Sequence, residues 1–131
     1  MQVFVKARDL GKVYFSDTDV VLSDTEVVKP DLLFVSKARE DIITFENIQG
    51  APDLVIEILS PSTSRRDWNE KRELYARYGV REYWIADPAN KIVWLMMLKD
   101  GVLEIEQTYY EGDTMTSSVL KGFTVAVNDI F

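Results

Sequence analysis

The chain has 131 residues, 47% of them hydrophobic and 28% charged, a net charge of −7, and neither cysteine nor histidine. That length suits one domain with a real core, because chains of roughly 150 residues bury about two-thirds of their unfolded surface. Disulfides, zinc–thiolate centres, thiol nucleophiles and the histidine general base are all excluded, so any chemistry must rest on carboxylates, lysine, hydroxyls or a hard metal ion bound by oxygen.

No apolar run approaches the ~18 residues that span a membrane, and "MQVFVKARDL" lacks the cationic and apolar regions of a signal peptide. Both features lead to the expectation of a cytoplasmic protein. The acidic balance argues against a protein that coats nucleic acid. A local reversal stands against it: Pro61 to Glu82 holds six basic and four acidic residues, +2 in a chain of −7. A weak basic strip beside an acidic pocket is compatible with phosphodiester chemistry, and it is equally what a solvated helix looks like.

In chain order, "GKVYFSDTDVVLSDTEVVKPDLLFV" (11–35) predicts strand, turn and strand, with Pro30 at a strand start or bulge. Residues 36–51 predict a polar connection with room for a short element around Ile42 to Phe45. Residues 53–60 predict a buried strand closed by "SPSTS". Asp67 to about Tyr78 predicts a helix, stopped by Gly79. "REYWIADP" (81–88) predicts a further strand. "KIVWLMML", "VLEIEQTYY" and "SSVLKGFTVAV" predict a strand meander with turns at Lys99–Gly101 and Glu111–Asp113. The order points to an α/β or α+β sheet with a helix on one face.

Two residues stand out against this pattern. In "PDLVIEILSPS" (52–62), Glu57 lies within a strand apolar on both faces, the mark of a central, doubly covered strand. A carboxylate there costs several kcal/mol unless it is paired or kept wet. On the following helix, Trp68, Lys71, Tyr75 and Tyr78 share the face that packs on the sheet, with Leu74 flanking them. Lys71 is therefore a cation inside an apolar stripe. It can snorkel out along its stem, or it can reach Glu57.

"KPDLLFV" (29–35) echoes "APDLVIE" (51–57). If these strands pair antiparallel, Asp31 falls beside Glu57 and Asp53 falls at the opposite end. Two carboxylates brought together repel unless a proton or cation lies between them, and such a pair suits Mg²⁺. The plainer alternatives are Pro-Asp as a turn dipeptide used twice and Glu57 as a structural ion pair. Two carboxylates, a metal and a lysine fit phosphodiester hydrolysis, in which the metal neutralises phosphoryl oxygens and the lysine steadies water or developing charge.

"PDLVIEILSPST", "DWNEKRELYARYGVREYWIADP" and "GFTVAVNDIF" resemble the Uma-type endonuclease family, itself similar to the restriction-endonuclease-like PD-(D/E)xK superfamily. The resemblance runs from about Val27 to Phe131. It implies a single α/β domain over 1–131, with a mixed β-sheet, a flanking helix or helices and a C-terminal strand meander, and Mg²⁺-dependent (or Mn²⁺-dependent) DNA cleavage. It carries the metal-binding acids over to Asp31 and Glu57. The motif lysine would stand at position 59, which is Leu59 here. The family's lysine from the following helix maps to Lys71, and Asp53 becomes a supporting acid. Because the chain opens in strand-like sequence, the family's usual N-terminal helical region is expected to be missing.

Ser62, Thr63, Arg65 and Arg66 are phosphate-contact candidates, with an ordinary polar loop and helix cap as the alternative. The rival functional class is a non-catalytic member of the fold acting as a binding or assembly module. Divalent-metal binding that disappears in Glu57→Gln discriminates the two. A third class, a structural protein that self-associates through its aromatics, finds no support in the composition. A homodimer is compatible with every class, and in the nuclease class it sets two sites against the two strands of a duplex.

Overall fold

The structure is a computed structural model that describes residues 1–61 and 65–130, with the side chains of 65–67 outside the description. Eleven strands and two α-helices are described: α1 (Gln2–Arg8), β1 (Gly11–Phe15), β2 (Val20–Val21), β3 (Val27–Val28), β4 (Leu32–Ser36), β5 (Ile48–Gln49), β6 (Leu54–Ile58), α2 (Arg65–Tyr78), β7 (Glu82–Asp87), β8 (Ile92–Lys99), β9 (Val102–Tyr110), β10 (Thr114–Thr116) and β11 (Thr124–Ala126). The main sheet runs β1-β4-β6-β7-β8-β9, and β3-β2-β5 and β10-β11 form two small sheets. Every neighbouring pair in the main sheet is antiparallel except β6 and β7. This is the mixed α/β sheet that the sequence predicts.

The parallel pair explains where α2 lies. Parallel neighbours need a crossover of a dozen or more residues, and α2 supplies it. The helix ends in a Schellman motif. Gly79 takes φ +89°, its N–H donates to the Ala76 carbonyl, and the Val80 N–H donates to the Tyr75 carbonyl. Glycine serves there because left-handed backbone strains other residues.

Both faces of β6 are covered, as its apolar run predicts. On one face Phe34, Leu54, Ile56, Trp84, Ala86, Val93 and Leu95 pack under α1 and the C-terminal segment. On the other, Val55, Tyr83, Ile85, Met96 and Leu103 pack against Tyr75 and Val80 of the crossover. Further along that second face, Leu33 and Val35 meet Val20 and Ile48 of the small sheet.

The structure departs from the sequence reading in three places. The opening residues form a helix, not a strand: Val5 is buried, and the Phe4 ring meets Phe123 edge-on at 5.3 Å. Docking of an amphipathic face outweighs the modest helix propensity of Val3, Phe4 and Val5. The polar connection holds a 3₁₀ segment over Lys37–Ile42 and the short β5. "SSVLKGFTVAV" is strand only at β11, and its first half is held instead by a buried acid that the sequence reading missed.

That acid is Glu82, fully buried at the start of β7. Its Oε2 accepts from Trp84 Nε1 at 2.6 Å and from Ser117 Oγ at 2.8 Å. Its Oε1 accepts from the backbone N–H groups of Ser118 and Val119 at 2.9 and 3.1 Å. An amide at this position would set its own donor against donors. Glu82→Gln is therefore expected to cost about 1–3 kcal/mol, measured by urea denaturation, with most of the loss retained in Glu82→Gln/Ser117→Ala because the backbone donors still face the amide.

Candidate active site

β4 and β6 pair antiparallel with Leu32 opposite Ile56 and Leu33 opposite Val55. Continued one step past the start of β4, that register brings Asp31 beside Glu57, whose carboxyl feels the Asp31 charge. The Ile58 N–H donates to Asp31 Oδ2 at 2.7 Å, which ties the aspartate across the strand end. Pro30 falls before β4, where its missing N–H costs no ladder bond.

Glu57 is 7% exposed. Alternation along β6 turns it, with Val55, toward α2. Two side chains one helical turn apart meet it there: Lys71 Nζ lies 3.0 Å from Glu57 Oε2, and the Tyr75 hydroxyl donates to the same oxygen at 3.0 Å. The acid in the strand and the lysine in the apolar stripe are thus partners, as the helical-face argument predicts. Tyr75 was missed as a polar participant. Its i+4 spacing from Lys71 was the available signal, but a tyrosine on a packing face also reads as core.

Burial pushes the Glu57 carboxyl above its usual range. Lys71 and the Tyr75 hydroxyl pull it back, and the nearby Asp31 charge pushes it up again. The balance leaves its proton affinity above the ordinary carboxyl range. Burial, then the Glu57 charge, raises the Tyr75 phenol far enough that it stays a donor. Tyr83, whose ring lies 5.0 Å from that of Tyr75, is raised by the same causes, and its buried hydroxyl has no partner among the described residues.

A raised carboxyl favours folding below its unfolded value of 4.5, and that contribution disappears as pH rises through the folded value. Above that value the ionised Glu57 opposes folding. Glu57→Gln is therefore expected to melt at the wild-type temperature or a few degrees above it at pH 7, measured by scanning calorimetry with a metal chelator present. A lower melting temperature would make Glu57 an ordinary structural ion pair.

Asp53 has a different setting. Four residues along β6 place it roughly 13 Å from Glu57. It is fully buried, and it accepts from the Ser36 N–H at 2.6 Å and from Arg81 Nη2 at 2.7 Å, with Arg39 Nη1 at 3.5 Å. Burial alone would raise its carboxyl, but the Ser36 N–H and the Arg81 guanidinium outweigh it and hold the group below its usual 3.8. The structure brings Asp31, Glu57, Lys71 and Tyr75 together and leaves Asp53 among arginines at the far strand end. A lowered carboxyl stabilises above 3.8 and loses that contribution as pH falls through the folded value. Asp53→Asn is thus expected to cost about 1–3 kcal/mol at pH 7, with the difference from wild type closing below about pH 3.8 in parallel denaturation series.

Beyond Asp31 a cleft of about 330 Å³ opens on the other face of the sheet, lined by Phe15, Leu32, Ile56, Ile58 and Trp84 among others. Ser62 and Thr63 lie outside the described residues. Arg65 and Arg66 open α2, with side chains outside the description.

Among the described residues no group of three or more histidines, cysteines or acids is placed to hold a metal ion, and Asp31 and Glu57 are the two carboxylates they offer here. Mg²⁺ accepts that, since it is held by one or two carboxylates and completes its shell with water and phosphate oxygens. The contacts just described use Oε2 of Glu57 and Oδ2 of Asp31, which leaves Oε1 and Oδ1 as hard-oxygen donors on facing residues. The donor set fits a hard dication.

This mixed sheet, with one parallel pair spanned by a helix, has a counterpart in a solved structure. Among solved structures, a crystal structure of "a putative nuclease belonging to DUF820 from Anabaena variabilis ATCC 29413" superimposes with a TM-score of 0.77 at 19% identity, covering 99% of this chain and 73% of that one. The chain belongs to the Uma2 family, described as "Putative restriction endonuclease", whose model matches residues 1–128. No curated protein matches it. No helix among the described residues is long and apolar enough to cross a membrane.

Proposed function

We propose that this chain is a divalent-metal-dependent DNA endonuclease, with Asp31 and Glu57 holding Mg²⁺ or Mn²⁺ and Lys71 acting beside them. The observation that carries the reading is a buried glutamate kept 3.0 Å from a helix lysine and set across the strand from a second acid. When bound, the metal supplies Lewis-acid neutralisation of the phosphodiester and lowers the pKa of water. Family membership supplies DNA as the substrate class.

The residues divide the remaining work. Asp31 is tethered to the β6 backbone at Ile58, so its position does not depend on the metal. Glu57 lies deeper and is shielded from bulk water, which strengthens its attraction for a cation. Lys71 keeps 44% of its side chain exposed. It can therefore turn its ammonium from Glu57 toward an attacking water or a phosphoryl oxygen as charge develops. None of these steps needs histidine or cysteine. Asp53 supports the site indirectly, by holding the start of β6 against Ser36 of β4 and so preserving the register that sets Asp31 opposite Glu57.

Purified protein is expected to cleave supercoiled or single-stranded DNA with Mg²⁺ or Mn²⁺ and not with chelator. Glu57→Gln and Lys71→Ala, shown to be folded by circular dichroism, are each expected to lose at least about 100-fold, the usual scale for a proton-transfer or charge-stabilising group. Equal cutting by wild type and variants would assign the activity to a contaminant. Absence of cutting at every substrate tested would favour the non-catalytic binding module, a reading to which the net charge of −7 lends weight.

A further inference from the structure

Tyr75 is placed against the candidate metal site, yet the cleavage chemistry above gives it no task. We infer that Tyr75 is a positioning residue for Glu57: its hydroxyl pins Oε2 against α2 and so presents Oε1 to the cation shared with Asp31. The inference rests on the metal-dependent reading of the site and adds a residue to it.

Two donors converge on one oxygen, Lys71 Nζ and the Tyr75 hydroxyl, each at 3.0 Å from Oε2. They differ in how firmly they are held. Lys71 is a flexible four-carbon stem whose head reaches solvent, so it is free to leave. Tyr75 is fully buried, with its ring edge-on to Tyr83 at 5.0 Å, and a packed ring has few other rotamers. The tyrosine is thus the donor that persists when the lysine turns toward substrate. Packing alone would be met by phenylalanine without the cost of burying a hydroxyl. Tyr83 supplies the internal comparison, because its hydroxyl shares the same core but bonds to no described residue. Partners that orient a metal ligand in this manner are worth 10–100-fold in metal affinity.

The test is Mn²⁺ binding to the full chain without DNA, read by the electron paramagnetic resonance of free Mn²⁺, for wild type, Glu57→Gln, Tyr75→Phe and Tyr83→Phe. Melting temperatures are recorded alongside. The expected result is one bound ion in wild type, loss in Glu57→Gln, about ten-fold weaker binding in Tyr75→Phe, and unchanged binding in Tyr83→Phe. A purely structural tyrosine would instead lower the melting temperature and leave the Mn²⁺ dissociation constant of the folded protein alone. Wild-type affinity in Tyr75→Phe would overturn the inference while the metal site stands. Equal weakening in both tyrosine variants would also overturn it, as general loosening of the core. No binding by wild type would remove the metal reading and Tyr75's role with it.

Discussion

The parallel pairing of β6 with β7 is the constraint on which the rest of the arrangement depends. It makes the chain leave β6, cross one face of the sheet and return, so α2 must lie over the face that carries Val55 and Glu57. The antiparallel pairing of β4 on the other side of β6 fixes Asp31 at the end where that crossover departs. A helix residue, a strand residue and the residue that precedes a second strand, separated by 26 and 14 positions in sequence, are thereby brought to one place by strand pairing and by the packing of α2 on the sheet. The site is a consequence of topology before it is a matter of side-chain contacts.

Among the described residues three acids are buried, each in a different setting. Glu82 has all its capacity taken by four donors, two of them backbone N–H groups of the segment it anchors. Asp53 is held ionised by an N–H and a guanidinium, below its ordinary range. Both are what a structural acid should look like, since a buried charge that serves only the fold is paired and hydrogen-bonded until its cost is offset. Glu57 is not treated so. Its two partners use one oxygen, its proton affinity is raised, and a like charge is nearby. An acid kept short of compensation in an otherwise well-compensated protein is a place where local stability gives way to a task.

Much of this was legible in the sequence because the signals were periodic. Alternation in "PDLVIEILS" marked a central strand and put Glu57 at odds with it. The 3.6-residue period of "DWNEKRELYARY" put Lys71 at odds with its own helix, and the two oddities explained each other. The echo of Pro-Asp marked two strand starts, and the antiparallel pairing considered for them, which sets Asp31 toward Glu57 and Asp53 at the opposite end, is the pairing of β4 with β6. What escaped notice has no period. Glu82 sits where any strand might begin, and three of its four donors come from a loop 35–37 residues away. α1 is helical through docking against Phe123, a contact that "MQVFVKAR" does not announce. Arg72, next to Lys71 on α2, donates to the Leu103 carbonyl of β9 at 2.6 Å. Its long stem lets a polar head reach the sheet from a border position.

The same reasoning bears on the position that departs from the family pattern. A lysine two residues after the motif acid would share the face of Glu57, since that spacing is the repeat of a strand. Leu59 stands there instead, packed against the cluster under α2, and β6 has already ended at Ile58. Moving the cation to Lys71 changes what it can do. A strand lysine rises from a rigid, hydrogen-bonded ladder, whereas Lys71 approaches Glu57 from across the interface between helix and sheet, with its head partly in water. It can meet the acid, as it does here, and can also turn away without disturbing any backbone hydrogen bond. A cation in the strand would be a fixed part of the site; under the proposed function, one on α2 exchanges between acid and substrate. On that reading the tyrosine one turn further along the helix has a task it would not have beside a fixed lysine, as a second, immobile donor that keeps Glu57 in place during the exchange.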